Sequence, residues 1–117
     1  TLDQMGALDV VCPDGQVVVE GQCVTPYSLA EAQSLITTNC SRCHSGASWY
    51  RNFPDNSINN SQGSGVDFVE PGDYSASYLW MKMVDAPGIS GNRMPTSGAL
   101  TLEQTNRFAA WIMELAP

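Results

Sequence analysis

The chain has few basic residues and a single histidine, His44. Lys and Arg together number 5 against 12 for Asp and Glu, which gives a formal net charge of -7 at pH 7. This excess of negative charge argues against nucleic acid and anionic membrane surfaces as partners. It favours docking onto a partner protein with a basic patch, through an attraction that weakens as salt rises.

Long hydrophobic runs are also lacking, and no stretch reaches the length that a membrane-spanning helix needs. The chain begins at Thr1 without an initiator Met, a basic n-region or an apolar h-region, which predicts a mature, processed product or a trimmed chain. Its first residues are compatible with a tether, as in a processed lipoprotein. At 117 residues the length predicts one domain, and we expect a monomer.

The most informative stretch is Cys40-Ser41-Arg42-Cys43-His44. Two cysteines two residues apart, followed at once by a histidine, are the pattern of covalent haem c attachment. Cys40 and Cys43 would form the two thioether bonds, and His44 would be an axial ligand of the iron. A thioredoxin-like redox pair usually lies in a βαβ context, which is missing here. A structural zinc needs four ligands, and Cys12 and Cys23 are too widely spaced to complete such a site.

The other two cysteines, Cys12 and Cys23, flank a short Val-rich segment with Glu20-Gly21 at its centre. This pattern predicts a small β-hairpin with a glycine in its turn. A disulfide between the two cysteines would stabilise the hairpin and would indicate an oxidising compartment. Two free thiols are the alternative.

Two capping boxes predict helix starts, Ser28 with Glu31 and Thr101 with Gln104. The first helix should run from Ser28 to about residue 39 and deliver the haem motif at its end. A second helix, capped by Asp73 or Ser75, should run to about residue 84, and the last should reach about residue 115. The apolar residues of the first and last helices should pack together as core, and they are Leu29, Leu35, Ile36, Phe108, Trp111, Ile112 and Leu115.

With His44 used on one face of the iron, the other face requires Met, Lys, Tyr, an N-terminal amine or no protein ligand. The methionines available are Met5, Met81, Met83, Met94 and Met113. Met113 is expected to fill core space, and Met81 and Met83 lie on a predicted helix. Met94 lies in a loop next to Pro95, far enough along the chain to pass round the haem edge, so Met94 is the predicted second axial ligand.

Four further residues are candidate haem contacts, each with a plainer alternative. A carbonyl near Pro54 would accept the second ring N–H of His44, or Pro54 is a simple turn proline. The indole of Trp80 would donate to a haem propionate, or it packs in the core. Arg51 and Arg93 are propionate partners by charge alone, or solvated surface groups.

The succession of these features resembles a class I monohaem cytochrome c. In chain order the features are the Ser-capped helix, Cys40-x-x-Cys43-His44, a polar loop, Val69-x-Pro71-Gly72, Ser77-x-Leu79, Met94-Pro95 and a closing helix with Trp111-Ile112. The resemblance is to bacterial periplasmic or lipoprotein-derived members whose distal ligand occurs in a Met-Pro pair. It implies an all-α fold around one haem over residues 28–117, with residues 1–27 as an N-terminal extension outside the family pattern.

The function implied is one-electron transfer through a single haem c, in the periplasm or at the cell exterior. No Ser/His/Asp set and no second histidine are present, so the chain is not expected to be an enzyme. One alternative is an open-site haem protein that binds gases or acts like a peroxidase. The other is a haem domain or subunit of a larger redox complex.

Overall fold

The structure is a computed structural model. It describes residues 11–44, 50, 52–58, 60–61, 66–89, 91, 93–95 and 98–115, and for residues 41–44 it describes the backbone alone. Within these ranges the chain forms a two-stranded hairpin followed by three α-helices.

The hairpin consists of β1 (Val17–Val19) and β2 (Gln22–Val24), paired antiparallel so that Val18 faces Cys23. Glu20 and Gly21 form the turn with φ of 50° and 80°, and a two-residue hairpin turn of type I′ needs positive φ at both positions. Cys12 and Cys23 are joined by a disulfide, so the predicted pairing is confirmed.

The first helix, α1, spans Leu29–His44. Its predicted capping box is confirmed, because the Ser28 N–H donates to Glu31 Oε1 at 2.9 Å and the Glu31 N–H donates to Ser28 Oγ at 3.2 Å. The predicted end near residue 39 is wrong, since the helix continues through the whole Cys-x-x-Cys-His motif. No Gly or Pro occurs between residues 28 and 44 to stop it, and the next glycine after this stretch is Gly46.

The second helix, α2 (Tyr78–Val84), begins later than predicted because a single 3-10 turn, Tyr74–Ala76, precedes it. Its N-cap is Ser77, not Asp73 or Ser75. The Ser77 hydroxyl accepts the Glu70 N–H at 2.8 Å and donates to the Asp73 carbonyl at 2.9 Å. This serine therefore ties the preceding loop to the start of α2.

The third helix, α3 (Leu102–Met113), has the predicted capping box, with hydrogen bonds of 2.8 and 3.1 Å between Thr101 and Gln104. The hairpin, the 3-10 turn, α1 and α2 all contact it. One core cluster lies between α3 and α1, with Phe53 stacked near the aromatic rings of α3. Its buried members are Ala32, Leu35, Ile36, Phe53, Val69, Leu79, Met83, Phe108, Trp111 and Ile112.

A second cluster joins the hairpin to α3. Val19 is completely buried against Ala109 and Ala110, and Tyr74 and Trp80 pack around these three residues. The two alanines leave room for the strand to approach the helix closely.

The predicted fold class, an all-α class I cytochrome c fold around one covalent haem, is therefore wrong. The described residues form three helices and an antiparallel hairpin, and the hairpin packs into the globule through Val19. In the described part of the chain, no three His, Cys, Asp or Glu residues come together in a group that could hold a metal ion. The predicted division between residues 27 and 28 stays a prediction.

Two side chains predicted as core are exposed. Leu29 is 50% exposed and Met113 is 39% exposed. Both lie at helix ends, Leu29 at the start of α1 and Met113 at the end of α3. Helical spacing that predicts a core position does not ensure that another element covers a side chain there. Over the ranges that the structure describes, no helix combines the length and the apolar character needed to cross a membrane.

Candidate functional site

An apolar cavity lies beside the second half of α1, with α2 on another side. Its cavity volume is about 240 Å³, which is somewhat below the roughly 300–1,000 Å³ of typical ligand pockets. Its lining residues are Leu35, Asn39, Cys40, Phe68, Tyr78, Leu79, Lys82, Met83, Met94, Pro95 and Leu100. The cavity therefore brings together the first cysteine of the motif and the predicted methionine ligand.

The contribution of α1 follows from helical spacing. Leu35 and Asn39 are four residues apart and share a face of the helix, and Cys40 is next to Asn39. The Asn39 side-chain amide donates to the Leu35 carbonyl at 2.8 Å, so this polar group is satisfied within its own helix. Leu35 and Asn39 also line a polar cleft between α1 and α3, and they form the wall between that cleft and the cavity.

Met94 is held against α2 through its backbone. Its N–H donates to the Lys82 carbonyl at 2.9 Å, and Lys82 itself lines the cavity. Because this carbonyl lies near the C-terminal end of α2, it is one of those that no helical N–H needs to satisfy. Residue 94 is thereby anchored to the same helix that supplies Leu79 and Met83 to the cavity wall.

The aromatic side of the cavity is formed where residues 66–69 cross the start of α2. The Tyr78 N–H donates to the Asp67 carbonyl at 2.8 Å, and the Leu79 N–H donates to the Phe68 carbonyl at 3.1 Å. The rings of Phe68 and Tyr78 meet edge to face with centroids 6.3 Å apart. These contacts place two aromatic side chains in the cavity wall.

Two buried polar atoms find no hydrogen-bond partner within the described residues, Trp80 Nε1 and Arg93 Nε. Burying an N–H without an acceptor costs free energy, so such groups are expected to serve a ligand or a partner. Both residues were predicted as propionate contacts. Trp80 lies on α2 with its ring against Tyr74, and Arg93 directly precedes Met94.

The residues present fit a haem c group. The cavity is mainly apolar, as a porphyrin requires, and a cysteine thiol and a methionine thioether are on its walls. Trp80 and Arg93 carry N–H donors that are unpaired within the described residues, but neither residue is among those that line the cavity.

Several predicted site residues are placed only in part. The backbones of Cys43 and His44 lie in the last turn of α1, and their side chains are outside the description. Arg51 falls outside the described residues. The Pro54 carbonyl accepts the N–H groups of Ser57 and Ile58 at 2.8 and 3.1 Å. The roles predicted for these four residues stay predictions.

The cavity roles of Asn39, Lys82 and Leu100 were not predicted from the sequence. The role of Asn39 could have been predicted, because a helix that continues into the motif puts Asn39, four residues before Cys43, on the same face as that cysteine. Lys82 and Leu100 carry no comparable pattern. Their place depends on how α2 and residues 93–100 pack.

Charged groups near the start of α2 influence one another. A hydrogen bond with the Asp67 side chain raises the pKa of Glu70, and burial and the charges of Asp67 and Asp73 act in the same direction. The pKa of Tyr74 is raised by burial and by its hydrogen bond to Glu20. This side of the molecule is therefore distinctly acidic.

Comparison of the chain with protein-family models, with curated proteins and with solved structures finds no match in any of the three. The function is argued from the site itself.

Proposed function

We propose that the protein is a one-electron carrier that holds a single haem c in the cavity lined by Cys40 and Met94. The observation that supports this most strongly is that the two residues, distant in sequence, line one apolar cavity. The proposal rests on this site and on the Cys-x-x-Cys-His motif, and it does not depend on an all-α fold.

Cys40 and Cys43 would hold the group through thioether bonds, and His44 and Met94 would be its axial ligands. Positions 40, 43 and 44 of α1 have the i, i+3, i+4 spacing that places residues on one face of a helix. When bound, the iron supplies the chemistry, taking up and releasing one electron between Fe(II) and Fe(III). A thioether opposite an imidazole favours the reduced state compared with harder ligands.

The other residues of the chain exclude water and fix the site. Leu35, Leu79 and Met83 are each less than a tenth exposed and provide a water-excluding wall. The hydrogen bond from the Met94 N–H to the Lys82 carbonyl keeps the ligand segment in place during each transfer. Because His44 and Met94 would both be supplied by the chain, little rearrangement of the protein would accompany electron exchange at a bound haem.

The proposed partners are redox proteins with a basic patch, because the chain carries a formal charge of -7. The Cys12–Cys23 disulfide supports an oxidising compartment, the periplasm or the cell exterior. We propose a monomeric carrier in that compartment that binds no nucleic acid.

The test is expression with the cellular machinery for haem c attachment, followed by visible and near-infrared spectra of both oxidation states. We expect a covalent haem, a low-spin spectrum and the weak near-infrared absorption of an iron–sulfur bond. Met94→Leu should abolish that absorption and let the reduced protein bind carbon monoxide.

Met83→Leu is the matched control. It makes the same volume-conserving change in the same cavity, and it should leave both spectra intact. A wild-type chain without covalent haem would overturn the proposed function. Retention of the near-infrared absorption in Met94→Leu would remove Met94 from the ligand set.

A further inference from the structure

The hairpin turn is bound directly to Tyr74, in the 3-10 turn before α2. The Tyr74 hydroxyl donates to Glu20 Oε2 at 2.6 Å and accepts the Glu20 N–H at 3.4 Å. Glu20 has a φ of 50°, a conformation that residues other than glycine rarely adopt. Two hydrogen bonds to Tyr74 thus hold a strained turn residue in one orientation.

Tyr74 in turn contacts α2. Its ring lies edge to face against Trp80, with centroids 4.8 Å apart and planes inclined by 75°. Both rings pack on the cluster of Val19, Ala109 and Ala110, so the hairpin, α2 and α3 meet at this point. These contacts fix the position of α2 on the face of the helix that carries Trp80.

The same short helix holds the methionine segment. Two residues after Trp80, the Lys82 carbonyl accepts the Met94 N–H at 2.9 Å. Leu79 and Met83 of this helix line the cavity beside Met94. A displacement of α2 would therefore move the backbone of residue 94 and the cavity wall together.

We propose that Glu20 and Tyr74 are positioning residues that fix α2 through Trp80 and thereby hold Met94 at the haem iron. This inference rests on the proposed function and assigns a role in the ligand site to the hairpin. Neither residue lines the cavity, and the effect passes through the contacts of Tyr74 with Trp80 and of Lys82 with Met94.

The test compares Tyr74→Phe with Tyr27→Phe in the haem-loaded protein. Both variants lose one phenol hydroxyl from a partly buried ring, but the Tyr27 ring packs under the guanidinium of Arg107, a residue of α3, at 4.5 Å. The first readout is hydrogen exchange of the Met94 amide. We expect Tyr74→Phe to raise its exchange rate roughly five- to tenfold, since a bond to a carboxylate is lost.

The second readout is the competition between Met94 and carbon monoxide in the reduced protein. Tyr74→Phe should increase the apparent carbon monoxide affinity by a similar, roughly five- to tenfold, factor, and Tyr27→Phe should change neither quantity. Glu20→Ala should reproduce the effects of Tyr74→Phe. Glu20→Gln keeps an acceptor oxygen and should restore most of the wild-type behaviour.

The inference is overturned if the two tyrosine variants behave alike, or if Tyr74→Phe lowers the melting temperature without changing either readout at Met94. These results are distinct from failure of the proposed function, in which the wild-type chain carries no covalent haem.

Discussion

Glu31 makes interactions that favour its charged form. The Ser28 N–H donates to its carboxylate, which lowers the pKa of Glu31, and the Arg107 guanidinium at 3.6 Å acts in the same direction. A carboxyl whose pKa is lowered in the folded state contributes stability above its unfolded pKa. That contribution is lost as the pH falls through the lower, folded pKa.

We therefore expect Glu31→Gln to reduce the free energy of unfolding at pH 7, with the difference from wild type shrinking as the pH falls below 4.5. Urea unfolding of the wild-type protein and of Glu31→Gln across this pH range measures the difference in unfolding free energy. Glu103→Gln is the control, because Glu103 lies in the first turn of α3 as Glu31 does in α1. An equal, pH-dependent loss in the control would show that the helix dipole, and not the Ser28 bond, is responsible.

Local chemistry predicted some residues of the site and not others. Cys40 was predicted as a site residue from the Cys-x-x-Cys-His motif, and Met94 because the chain has a single histidine. In the structure both residues line one cavity. Asn39 and Lys82 were missed because their roles depend on where α1 ends and how α2 packs. Helical spacing indicates the position of Asn39 once α1 is known to continue to His44, whereas no pattern in the chain marks Lys82 as a cavity wall.

At the scale of elements, the capping boxes predicted both long helices because cap and helix lie within four residues of each other. The hairpin was predictable for a similar reason, since its turn and its disulfide are local in sequence. The end of α1 and the 3-10 turn before α2 were not. No Gly or Pro stops α1 before His44, so its predicted end was too early. The 3-10 turn follows a loop held by distant contacts, such as the hydrogen bond from the Gly72 N–H to the Ile112 carbonyl.

The attachment of the hairpin to α3 can be tested in β1. Val19 is completely buried and Val18 is 38% exposed. Val19→Ala should lower the free energy of unfolding by about 2 kcal/mol, through lost burial and the cavity left behind. Val18→Ala, the same change one residue away, should cost well under about 1 kcal/mol.

Chemical denaturation followed by circular dichroism measures both losses. Equal losses for the two variants would mean that the hairpin does not pack on α3 in solution.

For the whole molecule, the net charge of -7 determines how small redox reagents approach. The rate of electron exchange with a cationic metal complex should fall as salt is raised, and the rate with an anionic complex should rise, because screening weakens both attraction and repulsion. Stopped-flow kinetics from about 10 mM to about 500 mM salt tests this. Salt slopes of the same sign for both reagents would show that local charges at the docking site outweigh the net charge.

The central position of α3 also bears on the order in which the molecule is assembled. The hairpin, the 3-10 turn, α1 and α2 all contact α3, and all precede it in the chain. During synthesis or export from the N-terminus, none of them can complete its packing until residues 102–113 emerge. If the proposed haem is attached, Cys40, Cys43 and His44 would be open to attachment before α1 packs against α3.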